Sequence, residues 1–300
     1  MILVYHKQKW INSYANEDSR QYELEYWNGV LQKAEPVFDV TEEAMNRQLQ
    51  TVIELDKEKT SHLSEDVHRA FNTDVTGFLL TALSKAVSDI CDKNIIPIMV
   101  ESHGREILGD ALNVSRTVGW FTSMYPVILN IDSDTGVDSL LKGVKKSMEE
   151  IPHKGFDYSI LKYCRNDIGD CRANFDKQFQ ILLNYLGDIS ADVEKNNFRQ
   201  AAFGFSGNTA SEEKQEYALE INGVTVNGRM QFKATYSEGS LTDGVVANVM
   251  KRFKDNLESF TEYCMDICNA GTGNALNADS DISVDDMQSI ETMLGQIGIE

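Results

Sequence analysis

The feature that most constrains the fold is the alternation of amphipathic helices with short, almost wholly apolar segments. Residues 74–91 carry apolar side chains at three- and four-residue spacing, which predicts a helix. Residues 95–100, Ile-Ile-Pro-Ile-Met-Val, follow a polar break, and such a run is typical of a strand that is buried on both faces. Pro97 lacks a backbone donor, so it predicts a strand start or a bulge. Further apolar strands are predicted at residues 127–131 and 179–183.

The remaining elements follow from the same periodicities. We expect two helices within residues 1–35, a strand at 51–55, a helix from Asp56 to Phe71 and an amphipathic helix at 136–150. Late in the chain, Asn222-Gly223 and Asn227-Gly228 separate three alternating segments, which predicts an antiparallel meander. A long helix should begin after Thr242-Asp243. The predicted fold class is α/β, a two-layer sandwich with a mixed β-sheet and flanking helices.

Charge and composition exclude several functions. The net charge is −19, and residues 255–300 contain ten acids and no Lys or Arg. Nucleic acids and anionic membranes are bound through clustered basic residues, so neither is expected as a partner. No apolar run reaches the roughly 18 residues of a spanning helix. Five scattered cysteines fit a reducing cytoplasm better than a disulfide framework, which predicts a cytoplasmic protein.

No metal site is expected from residue spacing. Cys264 and Cys268 lie four residues apart on a predicted helix, without two further ligands nearby, and are interpreted as part of a buried stripe. The histidines outside the clusters described next stand singly in polar stretches, and no two are spaced for a metal.

The densest group of reactive side chains is residues 101–106, Glu-Ser-His-Gly-Arg-Glu, directly after the predicted buried strand. α/β folds place ligand-contacting groups at such strand ends. Partial desolvation there should raise the pKa of Glu101, so that it can exchange protons with a carbon acid. The alternative is an exposed loop with a local Arg–Glu ion pair.

Two further clusters could wall a pocket. Residues 116–126 place Gly119 beside Trp120 and Phe121 and end in Pro126; they form either a constrained pocket loop or a loop tucked against the core. Residues 183–187, Leu-Asn-Tyr-Leu-Gly, place one amide and one phenol at a strand end. Asn184 could orient a substrate carbonyl or simply satisfy backbone groups.

These three clusters, in this order, resemble the C-terminal half of epimerization domains of nonribosomal peptide synthetases, such as the gramicidin and tyrocidine synthetases. Residues 101–106 resemble the family's Glu-Gly-His-Gly-Arg-Glu motif, and residues 116–122 match Arg-Thr-Val-Gly-Trp-Phe-Thr, which separates epimerization-type from condensation domains. Residues 183–187 resemble Phe-Asn-Tyr-Leu-Gly. Residues 71–83 and 154–158 also resemble family segments. The chain departs from the family pattern at four positions: Gly77, Ser102, Leu183 and Asp188.

The resemblance runs from about residue 5 to residue 270 and implies one lobe of a two-lobe domain. The superfamily's His-His-x-x-x-Asp-Gly motif lies in the other, N-terminal lobe, and the 300 residues contain no His-His pair. The implied organisation is a C-terminal lobe over residues 1–270, with inter-lobe linking helices in 1–35. Residues 271–300 are then an acidic linker with a short terminal helix. The chain is expected to be an excised piece or a split gene product.

The resemblance also implies a mechanism. Two lobes resembling chloramphenicol acetyltransferase form a V with a central tunnel, and a peptidyl carrier domain presents an aminoacyl or peptidyl thioester on its phosphopantetheine arm. The α-proton is removed and returned on the other face by Glu101 and a histidine of the N-terminal lobe. That histidine or Asn184 would stabilise the thioester oxygen. His103, Arg105, Trp120, Asn184 and Tyr185 are expected to bind or support the substrate.

No cofactor is expected to bind directly, and the expected partners are the carrier domain, the N-terminal lobe and neighbouring synthetase modules. The chain alone is expected to be inactive. Two alternatives stay open: a lobe of a peptide-bond-forming condensation domain, and a non-catalytic scaffold for carrier docking.

Overall fold

The computed structural model describes residues 11, 14–15, 20–40, 47–105, 118–119, 121–132, 134–165, 168–189, 216–241 and 243–270. In chain order the elements are α1 (Gln21–Gln32), β1 (Gln48–Glu54), α2 (Lys57–Phe71), α3 (Val75–Cys91), β2 (Ile95–Ser102), β3 (Ser123–Asn130), α4 (Val137–Glu149), a 3-10 turn (Pro152–Gly155), α5 (Phe156–Cys164), a second 3-10 turn (Gly169–Cys171), α6 (Arg172–Phe175), β4 (Ile181–Asp188), β5 (Leu219–Val226), β6 (Arg229–Ser237) and α7 (Asp243–Asn269).

The strands form one mixed sheet in the order β1-β6-β5-β4-β2-β3, which confirms the predicted α/β class. β2 pairs with β4, and β4 with β5, in parallel; the other neighbours are antiparallel. In β2 the consecutive residues 96–100 are buried, so both faces of that strand are covered. In β5 burial alternates strictly, so one face of the sheet is more open there.

Helices α2, α3 and α7 pack together against the sheet. Phe253 of α7 meets Phe232 of β6 with ring centroids 5.1 Å apart, and Phe260 meets Phe78 of α3 at 6.4 Å. Within this apolar layer, the buried Asn256 amide donates to the Ala82 carbonyl at 3.0 Å, which satisfies both polar groups. The predicted apolar stripe of the last helix therefore forms the centre of the core.

A second helical layer joins α1, α5 and α6. Trp27 of α1, Tyr158 of α5 and Phe175 of α6 are fully buried, and their rings lie 5.1 and 5.7 Å apart in that order. Both α1 and α5 contact β3. This layer covers β3, which is one edge of the sheet.

Local sequence signals were correct for most elements. Asp56 caps α2 by accepting from the Lys59 backbone amide at 2.9 Å, and α3 ends at Cys91 as predicted. Cys264 is fully buried, and burial raises the pKa of its thiol to about 12, in agreement with a structural stripe. Within the described ranges, no helix is both long enough and apolar enough to cross a bilayer.

Two strand predictions were wrong. Asn222-Gly223 makes no turn: both residues lie inside β5, and only Asn227-Gly228 closes a hairpin. Gly223 leaves room for Phe232, whose Cε1 would lie 2.4 Å from an added Cβ. Pro97 lies inside β2 in unbroken register with Ile128, before the parallel pairing with β4 begins at Met99. The predicted linker and terminal helix of residues 271–300 lie outside the described residues.

Candidate functional site

The site begins where β2 and β4 run side by side. Val100 pairs with Leu183, and one residue further along each strand come Glu101 and Asn184. Because side chains alternate along a strand, these two project from the same face of the sheet. Both line a cavity of about 380 Å³, together with Tyr185. The structure thus brings together the two strand ends that the sequence singled out.

Glu101 has the electrostatic character that its position predicts. Its carboxyl is half buried, and this desolvation raises its pKa above the usual value. The negative charge of Glu220 on β5 raises the pKa further. A carboxyl with a raised pKa is a better proton acceptor when ionised and can also hold a proton closer to neutral pH. The alternative of a merely exposed carboxylate does not fit this burial.

A chain of hydrogen bonds fixes the Asn184 amide. The Asn184 Nδ2 donates to Asn222 Oδ1 at 3.2 Å, and the Asn222 Nδ2 donates to Glu220 Oε1 at 2.7 Å. An ionised carboxylate can only accept, so Glu220 forces the Asn222 amide nitrogen toward itself and its oxygen toward Asn184. Asn184 therefore presents its nitrogen to Asn222, which leaves that nitrogen's second N–H for another acceptor.

Sequence reasoning missed Glu220 and Asn222. The signal was present, since Leu219 and Ile221 alternate with Glu220 and Asn222, which places the two polar residues on one face of a strand. Interpreting Asn222-Gly223 as a turn hid this pattern.

Tyr185 borders the same cavity but is held by another partner. Its hydroxyl forms a 2.8 Å hydrogen bond with the Thr225 hydroxyl. Burial raises the pKa of the phenol above its usual value, so it stays protonated at neutral pH. Tyr185 therefore lines the cavity as a neutral side chain hydrogen-bonded to Thr225, and its expected role in binding or supporting the substrate stays a prediction.

The loop after β2 is held by close backbone contacts. Gly104 has φ +61°, and a Cβ there would lie 1.6 Å from the Phe121 carbonyl oxygen, so only glycine fits. The His103 Nδ1 accepts from the Arg105 backbone amide at 3.0 Å. The Arg105 guanidinium lies 4.2 Å above the Phe121 ring and donates to the Gly119 carbonyl at 3.3 Å. Arg105 thus ties the loop of residues 101–105 to the segment around Gly119.

Trp120 lies outside the described residues. Its neighbours Gly119 and Phe121 both line the 380 Å³ cavity, as the pocket-wall interpretation of residues 116–126 requires.

A larger cavity, of about 630 Å³, adjoins the first. Glu101, Ser102 and His103 border both cavities, so the end of β2 separates them. The larger cavity is also lined by Tyr125 and by Lys145. Glu101 is therefore a lining residue of both cavities.

Comparison with known proteins places this chain in a family. A sequence model described as "Condensation domain" matches residues 5–271. The chain belongs to the condensation-domain family. Surfactin synthase subunit 2 of Bacillus subtilis (strain 168) is 33% identical over 278 residues, which are 91% of this chain and 8% of that protein. Gramicidin S synthase 1 of Brevibacillus brevis is 29% identical over 269 residues, covering 85% of this chain and 24% of that protein.

Solved structures agree with this assignment. The epimerization domain from the third module of tyrocidine synthetase B superposes with a TM-score of 0.77 at 27% identity, covering 85% of this chain and 58% of that one. A four-domain nonribosomal peptide synthetase bound to AMP and glycine shares the fold, with a TM-score of 0.58 at 13% identity. The chain spans only 4% to 8% of the length of bacitracin synthases 3 and 1 and surfactin synthase subunit 2. The chain belongs to the condensation-domain superfamily of nonribosomal peptide synthetases.

Proposed function

We propose that this condensation-family chain forms part of an epimerization domain, which converts an L-aminoacyl or peptidyl thioester on a carrier domain to the D form. The single observation that carries the proposal is the Glu101 carboxyl, half buried between two cavities with a raised pKa. The match of residues 116–122 to the epimerization-type motif favours the same activity, as does the TM-score of 0.77 to an epimerization domain.

The proposed chemistry is proton exchange at Cα. The ionised Glu101 carboxylate takes the α-proton, and the electron pair of the broken C–H bond moves into the thioester carbonyl to give an enolate. A proton delivered to the opposite face then reforms the C–H bond with inverted configuration. The resemblance assigns the opposite-face group to a histidine of the N-terminal lobe, and no His-His pair occurs in these 300 residues.

The developing enolate oxygen needs a hydrogen-bond donor. Asn184 is one candidate, because its nitrogen is oriented by Asn222 and Glu220 beside Glu101. The N-terminal lobe is the other candidate source. The carrier domain's phosphopantetheine arm would present the thioester, so the chain needs no bound cofactor for this chemistry.

A lobe of a peptide-bond-forming condensation domain is the second candidate, favoured by the description of the matching family model, "Condensation domain". The discriminating experiment combines this chain with an N-terminal lobe carrying His-His-x-x-x-Asp-Gly, and supplies a carrier-bound aminoacyl thioester in D₂O. We expect deuterium at Cα with both parts present and none with this chain alone. An elongated peptide without exchange would indicate condensation, and neither product would indicate a docking scaffold.

A further inference from the structure

A second cluster of reactive groups lies away from Glu101, where the 3-10 turn before α5 faces α1. The His153 Nδ1 lies 3.5 Å from Asp157 Oδ2 and 3.8 Å from Glu23 Oε1. The Tyr14 hydroxyl oxygen is 3.4 Å from the same nitrogen. His153 was predicted to stand alone in a polar stretch; the fold instead places it between two carboxylates.

The two carboxylates of this cluster are buried. The Asp157 side chain has no exposed surface, and the Glu23 side chain is 6% exposed. Trp27 Nε1 donates to Asp157 Oδ1 at 3.2 Å, and Arg20 Nη1 contacts Glu23 Oε1 at 3.0 Å. Glu23 Oε2 is buried and has no hydrogen-bond partner among the described residues. Leaving a buried carboxylate oxygen without a hydrogen-bond partner costs free energy. The two buried carboxylates also have only one guanidinium beside them in the described part of the chain, that of Arg20.

We propose that Glu23, His153 and Asp157 bind one divalent transition-metal cation of the zinc or cobalt type. One ligand atom from each residue lies within 4.8 Å of the other two. For bonds near 2.0–2.1 Å, a tetrahedral ion places its ligand atoms about 3.3–3.4 Å apart, close to the separations around His153 Nδ1. The ion would offset the negative charge of the two buried carboxylates.

The geometry also provides access and an open position. His153 is 37% exposed, so a cation can reach the cluster from solvent. Its backbone, and those of the next two residues, have positive φ of 46°, 52° and 78°, which turns the imidazole back toward α1. Three protein ligands leave a fourth position for water. The bound ion would fasten α1 to α5, which are otherwise joined by the Trp27–Asp157 bond and ring packing.

The competing account uses a proton instead of a metal, with His153 as an imidazolium between the carboxylates. The test is a titration of the whole chain with Co²⁺, followed by its visible absorption. We expect one Co²⁺ per chain, with d–d bands of a nitrogen–oxygen site and no thiolate charge-transfer band. His153→Ala should weaken binding at least tenfold. Free Co²⁺ at about a hundredfold excess over Kd should raise Tm by about 5–10 °C.

His62→Ala is the matched control. His62 is 36% exposed and lies 2.8 Å from a single carboxylate, Asp66, so it resembles His153 without the second buried acid. We expect this variant to bind Co²⁺ like the unmodified chain. Absence of stoichiometric uptake, or uptake with thiolate bands that survives His153→Ala, would overturn the metal site. Neither result depends on epimerization activity, so the experiment tests the metal site independently of the proposed function.

Discussion

Gly155, at the junction of the 3-10 turn and α5, supports the wall of the larger cavity. Its φ is +78°, and an added Cβ would lie 2.1 Å from Cγ of Tyr125, with both Cδ atoms within 2.5 Å. Tyr125 belongs to β3 and is 5% exposed, so its ring is packed against other groups on most sides. Gly155→Ala therefore combines backbone strain with a clash against a buried ring.

The cost can be worked out from these two parts. A left-handed alanine costs roughly 1–2 kcal/mol, and overpacking a core costs about 1–3 kcal/mol more. Alanine also reduces the conformational freedom of the unfolded chain, which offsets about 0.4–1 kcal/mol of this loss of stability. The net loss is about 1–4.5 kcal/mol, which corresponds to a Tm lower by about 2–15 °C for a chain of this size.

Gly169→Ala is the control for strain alone. Gly169 also has positive φ, +46°, but an added Cβ there would meet nothing within 4 Å. Its expected loss is about 0.5–1 kcal/mol in urea unfolding followed by circular dichroism. Equal unfolding midpoints for Gly155→Ala and Gly169→Ala would refute the packing role assigned to Tyr125.

Two further changes test the β5 residues that the sequence did not reveal. Glu220→Gln removes the charge that helps to raise the pKa of Glu101, so that pKa should fall. The rise of α-proton exchange with pH, measured in the two-lobe protein, should then begin at lower pH; an unmoved profile would remove Glu220 from the site. Gly223→Ala inserts a Cβ 2.4 Å from the Phe232 ring and should cost about 1–2 kcal/mol in urea unfolding. Unchanged stability of that variant would show that the Phe232 ring can shift to make room for the added methyl group.

The features that could be predicted from the sequence are those that depend on residues close together in the chain. Helix α3 and the buried strand β2 follow from apolar spacing and run length within their own residues. The placement of Glu101 at a strand end followed from the same reasoning. Local periodicity therefore sufficed for these two elements and for placing Glu101 at a strand end.

What could not be predicted depends on distant partners. Asn222-Gly223 is a sound hairpin signal locally, but parallel pairing with β4 and the Phe232 ring hold it in a strand. The pairing of β2 with β4 aligns Glu101 and Asn184 across a long sequence separation. The His153 cluster likewise requires α1 to pack on α5, which no local pattern shows. Long-range packing, rather than propensity, decided each of these features.

The most direct test of the proposed activity is α-proton exchange in the two-lobe protein carrying Glu101→Gln. General acid–base groups typically contribute about 10²–10⁴-fold, so we expect deuterium incorporation at Cα to fall at least 100-fold with unchanged Tm. Glu58→Gln, which neutralises an exposed carboxylate in the first turn of α2, should exchange at the unmodified rate. Unmodified exchange by Glu101→Gln would contradict the central claim that this carboxyl moves the proton.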